Sequence, residues 1–546
     1  MAYITTLFLS LFITLAAIPI FKGIAVRAKI LDIPDGRKVH SAPIPKSGGL
    51  GMALGFCIPV VLWLPLDAFT ISVLIGTAIL VVAGVIDDRY VLGYKAKFAA
   101  QVAAALVVIF LGEVKISSLG MLLPDEFMLP GAVSMPLTIF VIVGVTNAIN
   151  LADGLDGLAG GITLITVLCL CILSFSSGDT AAVMMSLALL GALFGFLTFN
   201  TYPASIFMGD AGSQFLGFLS IILSLKITQG NFALSPVLPL FIIGFPIIDT
   251  VLVMSERIRS KRSPFVADNN HIHHKLLGQG FFHTEAVFII YLLQSLFVLS
   301  AYIFRFYSDW FVLSLYLFLS CAIIMYFHMK ITSGMKIRRY ELIDKVIKGR
   351  LRFLKNEEGM LRLATLILYY LLPCLLILNC LLIGPLPEYV SAVSVATATL
   401  IIVLWVRGNS MMGSMVRTVL YFMIPAIIYL GQENAMVFSD VDFTPAYLAA
   451  CAACLLSAII MMRYNRRENS FRSSPMDFLI IIIALCVSPL LSSIMDMQRT
   501  RLFLVQILIF FYSYEIVLNE QRRGRAVVTT TMVGALLIIA LKGVLS

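Results

Sequence analysis

The sequence predicts an all-α, polytopic membrane protein, and three observations support this prediction. Of the 546 residues, 60% are hydrophobic and only 13% are charged, with a mean hydropathy of +0.98, and water-soluble domains do not reach such values. A bilayer needs about 20 apolar residues per helix, and about eighteen such stretches, some of them short, follow one another along the chain. Basic residues gather in alternate loops, as in proteins that cross a membrane repeatedly.

The first apolar stretch begins near Tyr3. It has neither a basic segment before it nor a small-residue cleavage site after it, so we interpret it as a retained helix rather than a signal peptide. The nine cysteines lie almost wholly in apolar stretches. Cys451 and Cys454 form a C-x-x-C pair with no His or second pair near it in sequence, and we expect packing residues there rather than metal ligands or a disulfide.

Positive charge predicts the orientation of the chain. Basic residues cluster in residues 22–46, 89–97 and 257–275, and they are most numerous in residues 328–362. Loops rich in Lys and Arg face the cytoplasm, so we expect these four loops inside and the N-terminus outside. The net charge of +9 then reflects membrane topology, and we do not expect nucleic-acid binding.

Five polar clusters interrupt the apolar pattern before residue 290. They are RKVHSAPIPKSGG (37–49), IDDRYVLGYKAK (86–97), NAINLADGLDGLAGG (147–161), FMGDAGSQFLG (207–217) and DNNHIHHKL (268–276). In the predicted orientation each lies at the cytoplasmic end of a helix. A transporter needs polar groups near mid-membrane, whereas this arrangement favours an enzyme that combines a soluble substrate with a lipid-borne one.

The side chains of these clusters suit phosphoryl transfer. Carboxylates and an Asn can hold Mg²⁺, while Lys, Arg and His neutralise phosphate oxygens, so we expect Mg²⁺ as cofactor, with Mn²⁺ as a substitute. The carboxylates are Asp87, Asp88, Asp153, Asp156 and Asp210. The cationic or hydrogen-bonding side chains are Lys38, His40, Lys46, Lys95, Lys97, Arg262, His271, His273 and His274.

Each cluster also has a structural interpretation. Asp87 and Asp88 are compatible with solvated helix-end residues that balance Arg89, and the glycines are compatible with helix packing. Closely spaced histidines such as HIHH can bind a transition metal, although the neighbouring basic residues favour an anion. His283 and His328 are interpreted as ordinary interfacial residues. The functional prediction therefore depends on five clusters sharing one side.

In this order, the clusters resemble the polyprenyl-phosphate N-acetylhexosamine-1-phosphate transferases. NAINLADGLDGLAGG, FMGDAGSQFLGF, the DD pair and HIHH carry the resemblance, which covers roughly residues 1–330. It implies a transferase core of about ten or eleven membrane helices, Mg²⁺ dependence and a cytoplasmic active site. It also implies the reaction, in which a UDP-sugar gives its sugar 1-phosphate to undecaprenyl or another polyprenyl phosphate and releases UMP.

The resemblance also implies roles for individual residues. Asp210 and Asn150 resemble the metal ligands. The predicted catalytic residues are Asp87, Asp88, Lys97, Asp153, Asp156, His273 and His274. The predicted substrate-binding residues are Lys38, Lys46, Asn147, Phe207, Arg262 and His271, with Phe207 stacking on uracil and the histidines near the diphosphate. Lys95 is an alternative to Lys97, because one residue separates them.

Two departures from the pentapeptide translocase branch narrow the substrate. That branch has a TPTMGG-like segment and three contiguous histidines before an acidic residue, whereas this chain has IPKSGG and HIHHKL. The difference favours a simple UDP-N-acetylhexosamine. We expect UDP-GlcNAc, with GalNAc, FucNAc and diamino sugars left open, and a role in starting cell-envelope glycan synthesis, such as lipopolysaccharide O-antigen, at the inner membrane.

Two routes are chemically open. In the first, the lipid phosphate attacks the β-phosphorus directly, and in the second Asp87 or Asp88 forms a covalent aspartyl phosphate. Two other classes of function remain as alternatives: a flippase for polyprenyl-linked glycans, or an inactive homologue that serves as a scaffold. A homodimer is left open.

The last two fifths of the chain carry no motif that we can assign. We expect a basic cytoplasmic linker over residues 331–362 and a membrane extension over residues 363–546. The linker mixes apolar and basic residues at helical spacing, which fits either a helix on the anionic leaflet or a solvated connector. A scaffold or partner-binding unit, a lipid-product channel and a regulatory domain are the candidate roles of the extension.

Overall fold

The computed structural model describes residues 2–33, 43–124, 127–230, 234–261, 271–332, 357–407, 412–435, 444–464, 497–519 and 522–544. Helices form nearly all of these residues. The strands in this part, β1 (Leu31–Asp32) and β2 (Ile44–Pro45), pair antiparallel with Leu31 opposite Pro45. Residue contacts divide the chain into two compact units, which are described separately.

The first unit contains thirteen helices among the described residues. They are α1 (Ala2–Arg27), α2 (Gly48–Trp63), α3 (Ala68–Tyr90), α4 (Tyr94–Phe110), α5 (Gly131–Ala152), α6 (Leu158–Ser176), α7 (Thr180–Asn200), α8 (Gly209–Gly230), α9 (Pro239–Ile242), α10 (Gly244–Arg259), α11 (Ile272–Gly278), α12 (His283–Ile303) and α13 (Asp309–Thr332). Carboxylates cap several helix starts. Asp67 accepts the Thr70 N–H at 2.8 Å and Asp179 accepts the Ala182 N–H at 3.0 Å, which satisfies amides that have no partner within the helix.

Helix α8 is the core of the first unit. Its side chains are buried almost without interruption from Ala211 to Thr228, and it packs against α2, α3, α5 and α6. Three of its four hydroxyl groups bond within the helix; Ser220, for example, donates to the Leu216 carbonyl at 2.7 Å. These bonds satisfy hydroxyl groups that would find no hydrogen-bond partner in lipid or among packed apolar side chains.

The described residues confirm the predicted fold class. Eleven helices among them are long and apolar enough to cross a membrane, eight in the first unit and three in the second, and four shorter apolar helices accompany them. The chain is an all-α, polytopic membrane protein. The count of about eighteen spans stays a prediction, because residues 465–496 lie outside the described part.

Helices form nearly all of the described residues of the second unit. Its elements are α14 (Glu357–Leu366), a π-helical turn (Ile367–Leu371), α15 (Leu372–Leu382), α16 (Glu388–Val406), α17 (Met412–Ala435), α18 (Thr444–Tyr464), α19 (Met497–Asn519) and α20 (Arg522–Val544). Arg417 on α17 forms an ion pair with Glu515 on α19, in which its Nε and Nη2 lie 3.0 and 2.7 Å from the carboxylate oxygens. Cys451 and Cys454 are buried free thiols.

The predicted linker overlaps helices at both ends. Residues 331–332 finish α13, and residues 357–362 belong to α14, which leads into a span over Met360–Leu382. The chain is mostly apolar from Met360 onward, so the membrane span over Met360–Leu382 already begins within the expected linker. Residues 333–356 lie outside the described part, so the linker itself stays a prediction.

Candidate active site

Four helices bring their polar ends to one face of the first unit. Helix α3 finishes just after Asp87 and Asp88, α4 begins just before Lys97, α5 finishes just after Asn150, and α8 begins just before Asp210. Side chains that are far apart in sequence therefore meet at the same end of the helix bundle.

Lys97 links two of the carboxylates. Its Nζ lies 2.5 Å from Oδ2 of Asp87 and 2.6 Å from Oδ2 of Asp210. Lys95 is exposed and points to no such partner among the ion pairs of the described residues. The geometry therefore selects Lys97 as the lysine that reaches the carboxylates.

Asn150 and Asp210, the predicted metal ligands, are in direct contact. Asn150 donates its side-chain N–H to Oδ1 of Asp210 at 2.8 Å and to Oγ of Ser213 at 2.7 Å. Together with Lys97, these two residues form a continuous network across α4, α5 and α8. We call Lys97, Asp210 and Asn150 the charged layer.

Asp88 holds the start of α8. Its carboxylate accepts the N–H of Asp210 at 3.1 Å, and it faces the N–H of Ala211 at 3.4 Å. Gly209 enters the helix with a φ of +69°, and a Cβ there would collide with the Asp88 carboxylate. The FMGD segment thus needs glycine at this position, and negative charge at the helix N-terminus is favourable. Asp87 instead accepts the Leu92 N–H at 2.6 Å.

A second layer lies one helical turn from the charged layer on the same three helices. Gln101 follows Lys97 by four residues, Gln214 follows Asp210 by four, and Asn147 precedes Asn150 by three. Asn147 donates to Oε1 of Gln101 at 2.7 Å, and Gln101 donates to Asn147 and Gln214 at 3.3 Å each. We call Gln101, Gln214 and Asn147 the amide layer.

Asn147 makes its side-chain contacts with other residues of the protein. Its side-chain amide also donates to the Val143 carbonyl of its own helix at 2.8 Å, so both amide hydrogens are used within the protein. The predicted contact of Asn147 with substrate stays a prediction. Gln101 was missed by the sequence reasoning, and the available signal was a lone polar residue one turn after Lys97.

The loop after α5 brings two more carboxylates. Burial raises the pKa of Asp153 to about 7, and the negative charges of Asp210, Asp88 and Asp156 act in the same direction. Asp153 is thus a half-buried carboxylate among other carboxylates. The carboxylate of Asp156 accepts the Ala204 N–H at 2.9 Å.

His283 contacts this loop, although the sequence reasoning treated it as an ordinary interfacial residue. Its Nε2 accepts the Asp156 N–H at 3.1 Å, and its ring stacks on Tyr202 at 4.5 Å. No local sequence signal marked this, because His283 begins α12, 127 residues after Asp156.

The histidine segment lies on the other side of the same loop. His273 packs against Gly154, where a Cβ would overlap the imidazole, and its ring lies 4.2 Å from that of His274. Burial lowers the pKa of His273 to about 3, and the charge of a protonated His274 acts in the same direction. His273 is therefore neutral at physiological pH.

Lys46 and Phe207 bring the IPKSGG segment beside FMGD. They form a parallel β-bridge, and the Gly48 N–H donates to the Phe207 carbonyl at 2.9 Å. Lys46 pairs with Asp32 at 3.2 Å. Burial acts to lower the pKa of Lys46, but the negative charges of Asp32, Asp88 and Asp210 together raise it. Lys46 therefore interacts electrostatically with the carboxylates of the site.

Three predicted residues lie outside the described part: Lys38, His40 and Arg262. Among the described residues, no group of three or more His, Cys, Asp and Glu side chains is arranged to hold a metal ion. HIHH therefore has no such partners in this part of the chain.

Comparisons with known proteins match the part of the chain that forms this site. A family model described as glycosyl transferase family 4 matches residues 70–228, a range that holds the DD pair and both Asn150 and Asp210. A probable undecaprenyl-phosphate N-acetylglucosaminyl 1-phosphate transferase of Bacillus subtilis is 35% identical over 350 residues, covering 64% of this chain and 95% of the relative.

Two further relatives extend the comparison. The undecaprenyl-phosphate α-N-acetylglucosaminyl 1-phosphate transferase of Escherichia coli K12 is 32% identical over 65% of this chain and 94% of its own length. The decaprenyl-phosphate N-acetylglucosaminephosphotransferase of Mycolicibacterium smegmatis is 34% identical over 49% of this chain and 74% of its own length. In each case the matched part is well short of the whole chain.

Proposed function

Because this chain belongs to glycosyl transferase family 4, we propose that it transfers N-acetylglucosamine 1-phosphate from UDP-GlcNAc to undecaprenyl phosphate. The products are UMP and a polyprenyl-pyrophosphate-linked sugar. The observation that carries this proposal is the direct contact of Lys97, Asp210 and Asn150, beside Asp87 and Asp88. The names of the Bacillus and Escherichia relatives support the acceptor and the sugar phosphate.

The site faces the cytoplasm in this proposal. Arg89 and Lys95 flank it at the junction of α3 and α4, and Arg257 and Arg259 end α10. Such positive residues favour the cytoplasmic side of a membrane. A UDP-sugar made in the cytosol can then reach the site, while the lipid phosphate arrives from the inner leaflet.

The residues present fit a magnesium ion. Asp210 and Asn150 offer oxygen donors at one point, and Mg²⁺ takes only one or two protein ligands beside substrate phosphates. Asp153 lies near further carboxylates: burial raises its pKa to about 7, and the negative charges of Asp210, Asp88 and Asp156 act in the same direction. When bound, the ion would neutralise phosphate charge and hold the diphosphate in line for attack.

The chemistry requires two anions to meet. An oxygen of the lipid phosphate attacks the β-phosphorus of UDP-GlcNAc, the bond between that phosphorus and the bridging oxygen breaks, and UMP leaves with the electron pair. Lys97 lies between Asp87 and Asp210, where its ammonium group can lower the repulsion between phosphates. Positioning and charge stabilisation account for most of the catalysis in such reactions.

Asp87 and Asp88 have different tasks in this proposal. Asp88 accepts backbone N–H groups of Asp210 and Ala211, which suits a residue that positions α8. Asp87 shares Lys97 with Asp210, which suits a residue that orients the lipid phosphate. Direct attack is the preferred route, and a covalent aspartyl phosphate on Asp87 is its rival.

Purified protein tests the proposal. With UDP-GlcNAc, undecaprenyl phosphate and Mg²⁺ we expect UMP release and a sugar-linked lipid, and EDTA should stop both. A panel of UDP-GalNAc and UDP-FucNAc then defines the sugar. Absence of UMP with every sugar would contradict the proposal, and UMP exchange into UDP-GlcNAc without lipid phosphate would favour the covalent route.

A further inference from the structure

Asp249 joins the histidine segment to the preceding helix. It lies on α10 and is 2% exposed. Its Oδ2 lies 2.8 Å from Nδ1 of His271, and its Oδ1 accepts the N–H of Ile272 at 2.7 Å. One buried carboxylate thus holds both the ring of His271 and the first amide of α11.

This attachment extends to the candidate active site. The ring of His271 stacks on the ring of His273 with centroids 5.6 Å apart and planes inclined by 12°. His273 in turn packs against Gly154, next to Asp153. Its Nε2 is buried and has no hydrogen-bond partner among the described residues. The orientation of His271 therefore constrains a neutral imidazole beside the carboxylate loop.

We propose that Asp249 is a positioning residue for the transfer reaction, which fixes the tautomer of His271 and the seating of His273 against Gly154. This inference rests on the proposed function. A carboxylate only accepts hydrogen bonds, so Nδ1 of His271 carries the proton and Nε2 of the neutral ring keeps a lone pair, which accepts a hydrogen bond and cannot donate one. Partners that hold an active-site imidazole in this way set its tautomer and direction.

A simpler role for Asp249 would be to hold α11 in place. The chain offers a matched control, because a second ion pair joins the same two helices. Lys275 in the middle of α11 donates to Glu256 on α10 at 2.7 Å, one turn after His271. Removing this pair loosens α11 without touching the histidine rings.

Two substitutions in the full chain separate these roles. In Asp249→Asn, Oδ1 still accepts the Ile272 N–H, but Nδ2 donates to Nδ1 of His271 and moves the ring proton to Nε2. We expect UMP release by Asp249→Asn to fall by about 10- to 100-fold in kcat/KM for UDP-GlcNAc. Glu256→Gln should stay within about twofold of the wild type, since partly exposed pairs contribute little.

Comparing the variants decides between the roles. If Asp249→Asn stays within about twofold of the wild type, or Glu256→Gln falls as far as Asp249→Asn, Asp249 only holds α11 and the inference is wrong. Thermal melting in detergent checks that each variant is folded. A loss confined to Asp249→Asn, with an unchanged melting temperature, supports positioning.

A ring measurement separates this inference from the proposed function. In ¹⁵N-histidine NMR of the full chain, with His271 assigned by His271→Asn, we expect the proton on Nδ1 in the wild type and on Nε2 in Asp249→Asn. An unchanged tautomer in Asp249→Asn overturns this inference alone. A wild type that releases no UMP overturns the proposed function, whatever the tautomer.

Discussion

The charged layer and the amide layer occupy the same three helices, one turn apart, and differ in how their charges are balanced. In the amide layer neutral groups bond to one another, with Gln101 only 2% exposed. In the charged layer one lysine serves two carboxylates, with Asp88 and Asp153 near by. The amide layer forms its hydrogen bonds among its own members, whereas the charged layer and its neighbours bring Asp87, Asp88, Asp153 and Asp210 around Lys97.

The largest effect is expected from a substitution in the charged layer. Asp210→Asn removes the carboxylate that contacts both Lys97 and Asn150, and UMP release should fall by at least about 10³-fold, because a charged group at the reacting phosphates is lost. Asp179→Asn, which changes a helix cap in the same unit, is the control and should keep activity. Substantial turnover by Asp210→Asn at saturating Mg²⁺ would remove Asp210 from the metal site.

The next effect compares two lysines. Lys97→Met should lower kcat by about 10²-fold, because the cation between Asp87 and Asp210 is lost. Lys95→Met removes the same charge two residues away, at an exposed position, and should leave kcat nearly unchanged. Steady-state UMP release measures both. Equal losses would mean that overall positive charge near the site matters rather than the contact of Lys97.

A smaller effect is expected from the amide layer. Gln101→Leu leaves amide groups of Asn147 and Gln214 without their partner, which should cost about 1–3 kcal/mol of stability. Activity should fall only several-fold, because the charged layer keeps its own contacts. Melting temperature and UMP release distinguish the two effects. A loss of activity as deep as that of Lys97→Met with unchanged melting would show that the amide layer takes part in the chemistry.

The smallest effect is expected at Asp153, which lies among other carboxylates. The pKa of Asp153 is raised from 3.8 to about 7 in the folded protein, so the folded state binds more protons than the unfolded state between these values. Without divalent cations, stability should therefore decrease as pH rises through about 7. Asp153→Asn should remove this dependence and raise the melting temperature in EDTA at pH 8 by on the order of a few degrees.

Adding Mg²⁺ is a second test of the role of Asp153. If Asp153 lies in a site that binds the ion, Mg²⁺ should raise the melting temperature of the wild type at pH 8 more than that of Asp153→Asn. An equal rise in both proteins would show that Asp153 does not contribute to binding.

Much of the fold could be predicted because lipid imposes a simple requirement. Long apolar stretches must become helices, and this fixed the class of the protein. The extent of α14 was not predicted, since the apolar run that begins at Met360 extends the helix back into the expected linker. The number of spans depends on residues beyond those that the structure describes.

The candidate site divides in the same way. NAIN, FMGD and the DD pair were predicted to meet, and Asn150, Asp210 and Asp88 do lie in contact. The choice of Lys97 over Lys95, the bond of His283 to the Asp156 amide and the attachment of His271 to Asp249 were not predictable. These contacts join residues that are far apart in the chain, and a single sequence carries no record of such pairs.

The sequence by itself determined the helical membrane class, the kinds of side chain at the site and the helical spacing that puts Lys97 and Gln101 on one face of α4. These properties follow from local hydrophobicity and from the 3.6-residue turn. Only the tertiary structure decided which helices lie side by side, and so which carboxylate meets Lys97 and which glutamine closes the amide layer. That choice belongs to the packing of α4, α5 and α8 as a whole, because close packing and the pairing of buried polar groups have to be satisfied together.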